Sequence, residues 1–449
     1  MAVFDRSMEA EPEPPEPPEP APDAREAAAP DWGPAKRILF RFAFSYLVLY
    51  LLSVVPALLE ALPGGEVIVE RYQAFLTTFV PWVGRHLLGV DVTVHPSGSG
   101  DTMSDWVQVF CILVLALVST VVWSLLDRKR TQYTRLYEWL RVVVRCGLGL
   151  TMIEYGAFKI VPGQFPPPSL DRLVQPFGDA SPMGLLWTFM GASAPYTIFA
   201  GLAEWAGGVL LLFRRTALLG ALVSIGALTN IVMLNFCYDV PVKLFSSHLL
   251  AMAVFLAAHD LRRLANLLVL NRPAPAAPDP RLIQRRGLRM AAPAFQAVLA
   301  VGFSALILSA SARQLHDITS ARSPLRGVWN VEELRVDGPA GPPPGAEALR
   351  WRSLIFDYPT MVTVQLTSGS RQRYGLKLDE ARKTLALTKR GDPAGKSSLN
   401  YQRPAPDRLT LEGTIAGRKI QASLHRVEDS KLLLLTRGFH WVSEYPFNR

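Results

Sequence analysis

Residues 154–168 read EYGAFKIVPGQFPPP, and they follow the mostly apolar run VVVRCGLGLTMI at 142–153. A charge held on an apolar membrane span costs at least about 2.5–3.5 kcal/mol, so Glu154 and Lys159 each need a partner or a wet cavity. A second acid, Glu204, lies in AGLAEWAGGVLLLF at 200–213. Whether these stretches cross a membrane therefore decides both the fold and the place to look for function.

The rest of the chain says that they do. Of its 449 residues 49% are hydrophobic and only 19% charged, where a soluble domain carries roughly 25% charge. Long apolar runs recur at Ile38–Leu59, Trp106–Leu126, Trp139–Val161, Tyr196–Phe213, Ala217–Cys237, Leu244–Ala258 and Leu288–Ala310. That makes about seven segments near the roughly 20-residue spanning length. The net charge of +9 is distributed unevenly: DRKRTQYTR, FRRT and HDLRR through RLIQRRGLR carry most cations of the loops, and the alternate loops carry few. This asymmetry predicts a cytoplasmic N-terminus and an outer C-terminus in a bacterial inner membrane, with the bilayer rather than nucleic acid as the partner of the charge.

Composition also marks the domains. Residues 1–35 include EPEPPEPPEPAPDAREAAAP, an acidic, proline-rich tract that cannot build a core and is expected to be disordered on the cytoplasmic side. Residues 36–322 hold the helical domain, with a long outer loop at 63–104 whose Val69, Tyr72, Leu76, Phe79 and Val83 share one helical face. His95 and Asp101 sit in that loop, where a lone histidine reads as solvated rather than catalytic. From 323 to 449 the pattern changes to about nine short alternating runs, WNVEELRV through KLLLLTRG, separated by turn-rich stretches. These predict an antiparallel barrel or sandwich on the outer side, which in a Gram-negative cell is the periplasm. Cys111, Cys146 and Cys237 form no metal-ligand spacing; small core residues are the expectation, with a Cys111–Cys237 disulfide conceivable.

With this topology the polar groups of four successive spans meet at one depth. Glu154 and Lys159 fall in the outer half of the third span and Glu204 lies about two turns into the fourth. Asn235 and Asp239 close the fifth, and Lys243 and His248 open the sixth. Glu154 and Glu204 are the candidate proton-handling groups; Lys159, Asn235, Asp239, Lys243 and His248 are the candidate ligand-binding groups. The alternative is an interhelical network, Glu204 with Lys159 and Asp239 with Lys243, that only fixes the packing. Gly147, Gly149, Gly156, Gly201, Gly207 and Gly208 are expected to let helices approach closely.

The pattern GLGLTMIEYGAFKI, AGLAEWAGGVLLLFRRTALLGALV and SSHLLAMAVFLAAHDLRRL resembles the DoxX/DoxD-like superfamily over about Arg141–Leu270. The resemblance implies a four-helix unit with a redox-associated role, a quinone or thiol/sulfur-linked substrate, and a redox partner protein. It supplies no catalytic set, and whether the chain is an enzyme stays open. LRGVWNV resembles the opening of a lipocalin-like barrel, which implies closure at Gly327 and Trp329 with Arg437 packed over the ring. That likeness keeps a second function open, a non-enzymatic scaffold whose barrel holds a lipid or small apolar ligand. Transport is a third, with no internal repeat in its favour. No haem, iron–sulfur or flavin motif is present, so any electron carrier would be borrowed from a partner or be a diffusible quinone.

Overall fold

The computed structural model describes residues 31–59, 64–95, 97–274, 282–320, 323–337, 350–389, 392–415 and 417–448. The acidic tract at 1–30 lies outside them, and helix begins at Pro34, inside the segment expected to be unstructured.

The helical region runs α1 (Pro34–Leu59), α2 (Gly65–Val83), α3 (Met103–Leu126), α4 (Thr134–Ile160), α5 (Leu170–Leu173), α6 (Pro182–Ala192), α7 (Ala194–Leu212), α8 (Ala217–Cys237), α9 (Lys243–Ala258), α10 (Leu261–Leu268) and α11 (Arg286–Ser320). Among the described residues, five helices (α1, α3, α7, α8 and α11) are long and apolar enough to cross a membrane. The pair α9–α10, bent by 74°, makes a sixth. The expected third span, α4, is a continuous helix of 27 residues but falls outside this set. Arg141, Arg145, Glu154 and Lys159 lower its hydropathy, and it compensates by burying much of its surface against its neighbours. Between α4 and α7 the chain forms the short helices α5 and α6.

At one end of the bundle Arg41 is 4% exposed and fully engaged. Its guanidinium donates to Tyr133 Oη at 2.7 and 3.1 Å, to Ser124 Oγ at 2.9 Å and to the Asp127 carbonyl at 2.8 Å. The Tyr133 hydroxyl donates in turn to Asp127 Oδ2 at 2.9 Å. This ties α1 to the α3–α4 connection, because a buried cation must have its donors satisfied.

The second region is a closed barrel of eight strands in sequence order: β1 (Gly327–Val336), β2 (Trp351–Tyr358), β3 (Met361–Leu366), β4 (Arg371–Asp379), β5 (Thr384–Lys389), β6 (Asp392–Ala405), β7 (Arg408–Ile415) and β8 (Arg418–Arg426). Every neighbouring pair is antiparallel, and β1 closes on β8 from Trp329 opposite Arg426 to Val336 opposite Ile420. The ninth expected strand, KLLLLTRG, forms a short helix, α12 (Leu433–Thr436), after a turn. Closure explains the difference: once β8 pairs with β1, no sheet edge remains for another strand. Alternating residues fill the interior, among them Trp329, Trp351, Leu354, Phe356, Leu399 and Leu411. Eight strands enclose a space just wide enough for side chains to fill, and here they do.

The barrel is docked on the bundle through α5. Leu170 packs on the outward-facing Val328 and Ile355, and its backbone N–H donates to Asp357 Oδ2 at 2.8 Å. Asp171, 8% exposed, accepts from Arg371 at 2.9 Å and from Arg373 at 3.1 Å. Arg326 lies 3.4 Å from the other oxygen of Asp357. Asp171 with two arginines of β4, and Asp357 with the Leu170 N–H, thus lock the connection after α4 to the sheet.

Candidate functional site

Small residues bring α4 and α7 together. A Cβ added at Gly156 would lie 2.6 Å from the Trp205 nitrogen and 2.7 Å from the Gly201 oxygen; one at Gly208 would lie 2.6 Å from the Gly149 oxygen. Where lipid surrounds the helices, hydrophobicity does not draw them together, and this backbone contact is what holds them. It sets Lys159 of α4 opposite Glu204 of α7. The Lys159 ammonium donates to Glu204 Oε2 at 2.7 Å, with Lys159 7% and Glu204 3% exposed.

This ion pair forms part of the wall of a cavity of about 170 Å³ enclosed by α4, α6, α7, α8 and α9. Apolar and aromatic side chains, including Met152, Trp187 and Leu249, make most of the lining. Further polar side chains that the sequence reading did not single out as site residues also line it, among them Gln164 and Asn230. Gln164 lines the cavity with a buried Oε1 that accepts no hydrogen bond among the described residues. Asn230 lines it from α8 and is exposed. Phe189 and Tyr196 also reach both the cavity and the outer surface, so the cavity opens on the flank of the bundle.

The expected site residues separate into distinct places. Lys159, Glu204 and Asn235 line the cavity; the Asn235 amide donates to Ser246 Oγ at 3.0 Å, joining α8 to α9. Glu154 does not join them. It is half-buried on the stripe of α4 one heptad beyond Gly147, which faces Leu51 of α1, and among the described residues it makes no ion pair or hydrogen bond. Five positions along a helix turn a side chain through roughly 140°, which is why Glu154 and Lys159 diverge despite their closeness in sequence.

Asp239 and Lys243 belong to a helix start rather than to the cavity. Lys243 pairs with Asp239 at 2.9 Å and with Asp101 at 3.7 Å. Asp101, from the long loop before α3, accepts from the Lys243 and Leu244 backbone N–H groups at 2.8 and 2.9 Å. It satisfies free donors at the start of α9. His248 lies at the α1–α9 seam, stacked on Tyr50 at 4.0 Å. Its Nδ1 is 2.7 Å from the Leu244 carbonyl and its Nε2 is 2.7 Å from the Tyr46 hydroxyl. The carbonyl only accepts, so Nδ1–H donates to it and Nε2 accepts from the tyrosine.

In the barrel, Trp329 is fully buried and its indole N–H donates to the Leu325 carbonyl at 2.9 Å. A Cβ at Gly327 would lie 2.9 Å from Arg426 Nε and 3.2 Å from Trp329 Nε1, so glycine permits this closure. The arginine over the Trp329 ring is Arg403, at 5.8 Å, and not Arg437 as the resemblance implied. Arg437 lies over Phe447 at 3.9 Å, because α12 carries it away from the barrel end. All three cysteines are free thiols, so the conceivable Cys111–Cys237 bridge is not formed.

The chain is similar to the uncharacterized protein YwoB of Bacillus subtilis (strain 168), at 36% identity over 121 residues, which is 26% of this chain and 75% of that protein. No protein-family model matches the chain, and no solved structure matches it.

Proposed function

The chain belongs to the family of the uncharacterized protein YwoB, and on that premise we propose a redox-associated membrane protein that binds a quinone-like molecule inside its helical bundle. In this reading the region from α4 to α10 is a DoxX-like unit, the chain spans the bacterial inner membrane about seven times, and the barrel stands on the periplasmic side. The basic loops DRKRTQYTR, FRRT and RLIQRRGLR support that orientation.

The observation that carries the proposal is the buried Lys159–Glu204 pair on the wall of a mostly apolar cavity. An apolar ring fits such walls, and a few placed polar groups orient it. Lys159 is the donor for a ligand carbonyl oxygen, Glu204 holds that ammonium in place, and the Asn230 amide offers a second donor at the mouth. Electrons for any reduction come from a partner protein and protons pass through the Lys159–Glu204 pair. The packed barrel interior favours this reading over a ligand held in the barrel.

The test is mass spectrometry of organic extracts from the purified protein beside a Lys159→Gln/Glu204→Gln variant, which removes both charges and leaves neither unpaired. A near-stoichiometric quinone in the wild type, lost from the folded variant, is the expected result. Phospholipid alone in both preparations sinks the proposal.

A further inference from the structure

After β8 the chain exposes a strip of apolar side chains that no other described segment covers. Leu434, Phe439, Val442 and Tyr445 are exposed, and Trp441 is 91% exposed. The strip has its own order: Phe439 and Trp441 meet edge to face at 5.0 Å, and Arg437 sits over Phe447. Isolated exposed apolar residues need no explanation, but a continuous run of this kind marks a contact surface.

Its position says what it touches. Leu432, just before α12, packs with Leu170, Leu173 and Val174 around the barrel's Val328 and Ile355. Leu170, Leu173 and Val174 lie in the connection that follows the end of α4. The strip therefore leaves the barrel at the seam with the bundle, on the side from which the helices emerge. Its composition fits the same place, since tryptophan and tyrosine collect where headgroups meet hydrocarbon. Charge agrees as well: residues 323–449 hold 20 Lys and Arg against 13 Asp and Glu, most of the chain's +9. Such an excess attracts anionic headgroups.

We propose that the segment 433–448 lies on the surface of the bilayer that holds the bundle, with Phe439, Trp441 and Tyr445 at headgroup depth and the basic barrel facing anionic phospholipid. The barrel is then held at its lower edge by two contacts, the α5 latch and this aromatic strip.

The full-length protein is reconstituted into phosphatidylcholine vesicles with and without phosphatidylglycerol, using lipids brominated near the headgroup. Subtracting the emission of a Trp441→Phe variant from that of the wild type isolates Trp441. That variant changes an exposed ring and folds as the wild type does. The expected result is at least twofold quenching of the Trp441 component by shallow bromines, deepened by phosphatidylglycerol. An unquenched, solvent-like component in both lipid mixtures overturns the proposal. So does shielding of Trp441 that disappears when the protein is diluted in lipid, because a second copy is then the cover.

Discussion

Replacing Glu204 by glutamine, Lys159 by methionine, and then both, separates what the buried pair does for stability from what each charge costs alone. At 2.7 Å and an effective dielectric near 20, the attraction is about 6 kcal/mol. Desolvating the two ions opposes it by several kcal/mol each, so the intact pair is worth little against an apolar pair of similar volume. A single replacement leaves the surviving charge buried. The usual cost of that is about 3–5 kcal/mol, and water entering the 170 Å³ cavity relieves part of it. We expect each single variant to lose about 3 kcal/mol and the double variant to stay within about 1 kcal/mol of the wild type. The coupling then exceeds the roughly 0.5–3 kcal/mol usual for touching residues. Unfolding of the detergent-solubilised protein by SDS, followed by circular dichroism across the wild type and the three variants, measures it. Single effects that add to the double within about 0.5 kcal/mol would refute a coupled, buried pair.

Two other variants probe the frame around the site. Asp171→Ala removes the acceptor shared by Arg371 and Arg373; a loss of about 2–4 kcal/mol in barrel docking is expected, since charge-assisted hydrogen bonds contribute about 1.5–3 each and Arg373 is half exposed. Limited proteolysis within 162–181 should accelerate while the helices stay intact. Gly208→Ala forces a Cβ against the Gly149 carbonyl and should cost about 1–3 kcal/mol in the same SDS assay. Gly226→Ala, whose Cβ meets nothing within 4 Å, should leave stability unchanged or slightly raised.

The membrane-crossing character and the barrel were legible because each rests on a local pattern: long apolar runs in one region, period-two alternation in the other. Strand number was less so. KLLLLTRG has the composition of a strand, and only closure of β8 on β1 denies it a partner. At the site, the azimuth of each side chain could not be read from sequence. Glu154, Lys159 and His248 were all placed near the outer side of the bundle, yet only Lys159 faces the cavity; Glu154 lies on the α1-facing stripe of α4 and His248 beside Tyr46 and Tyr50. Choosing among the faces of a helix requires knowing its neighbours, and that depended on glycine contacts such as Gly156 with Gly201. Gln164 escaped notice because its meaning comes from an unpaired oxygen, which no sequence pattern displays.

The loop that carries Gln164 also joins the two halves of the molecule. Gln164 and Phe165 line the cavity, Leu170 and Asp171 grip the barrel, and only Pro166, Pro167, Pro168 and Ser169 lie between. Consecutive prolines favour an extended left-handed helix of about 3.1 Å per residue with few alternatives. The carbonyl of Pro166 sits so close to Gly191 of α6 that a Cβ there would come within 2.3 Å, so the strut cannot shift sideways without moving α6. A displacement of the barrel is therefore passed to the cavity lining instead of being absorbed by the connection. Under the proposed function, loosening the latch at Asp171 should then lower the quinone recovered in organic extracts even though Asp171 does not line the cavity, and a longer, glycine-rich replacement of the three prolines should abolish that coupling while leaving the Lys159–Glu204 pair in place.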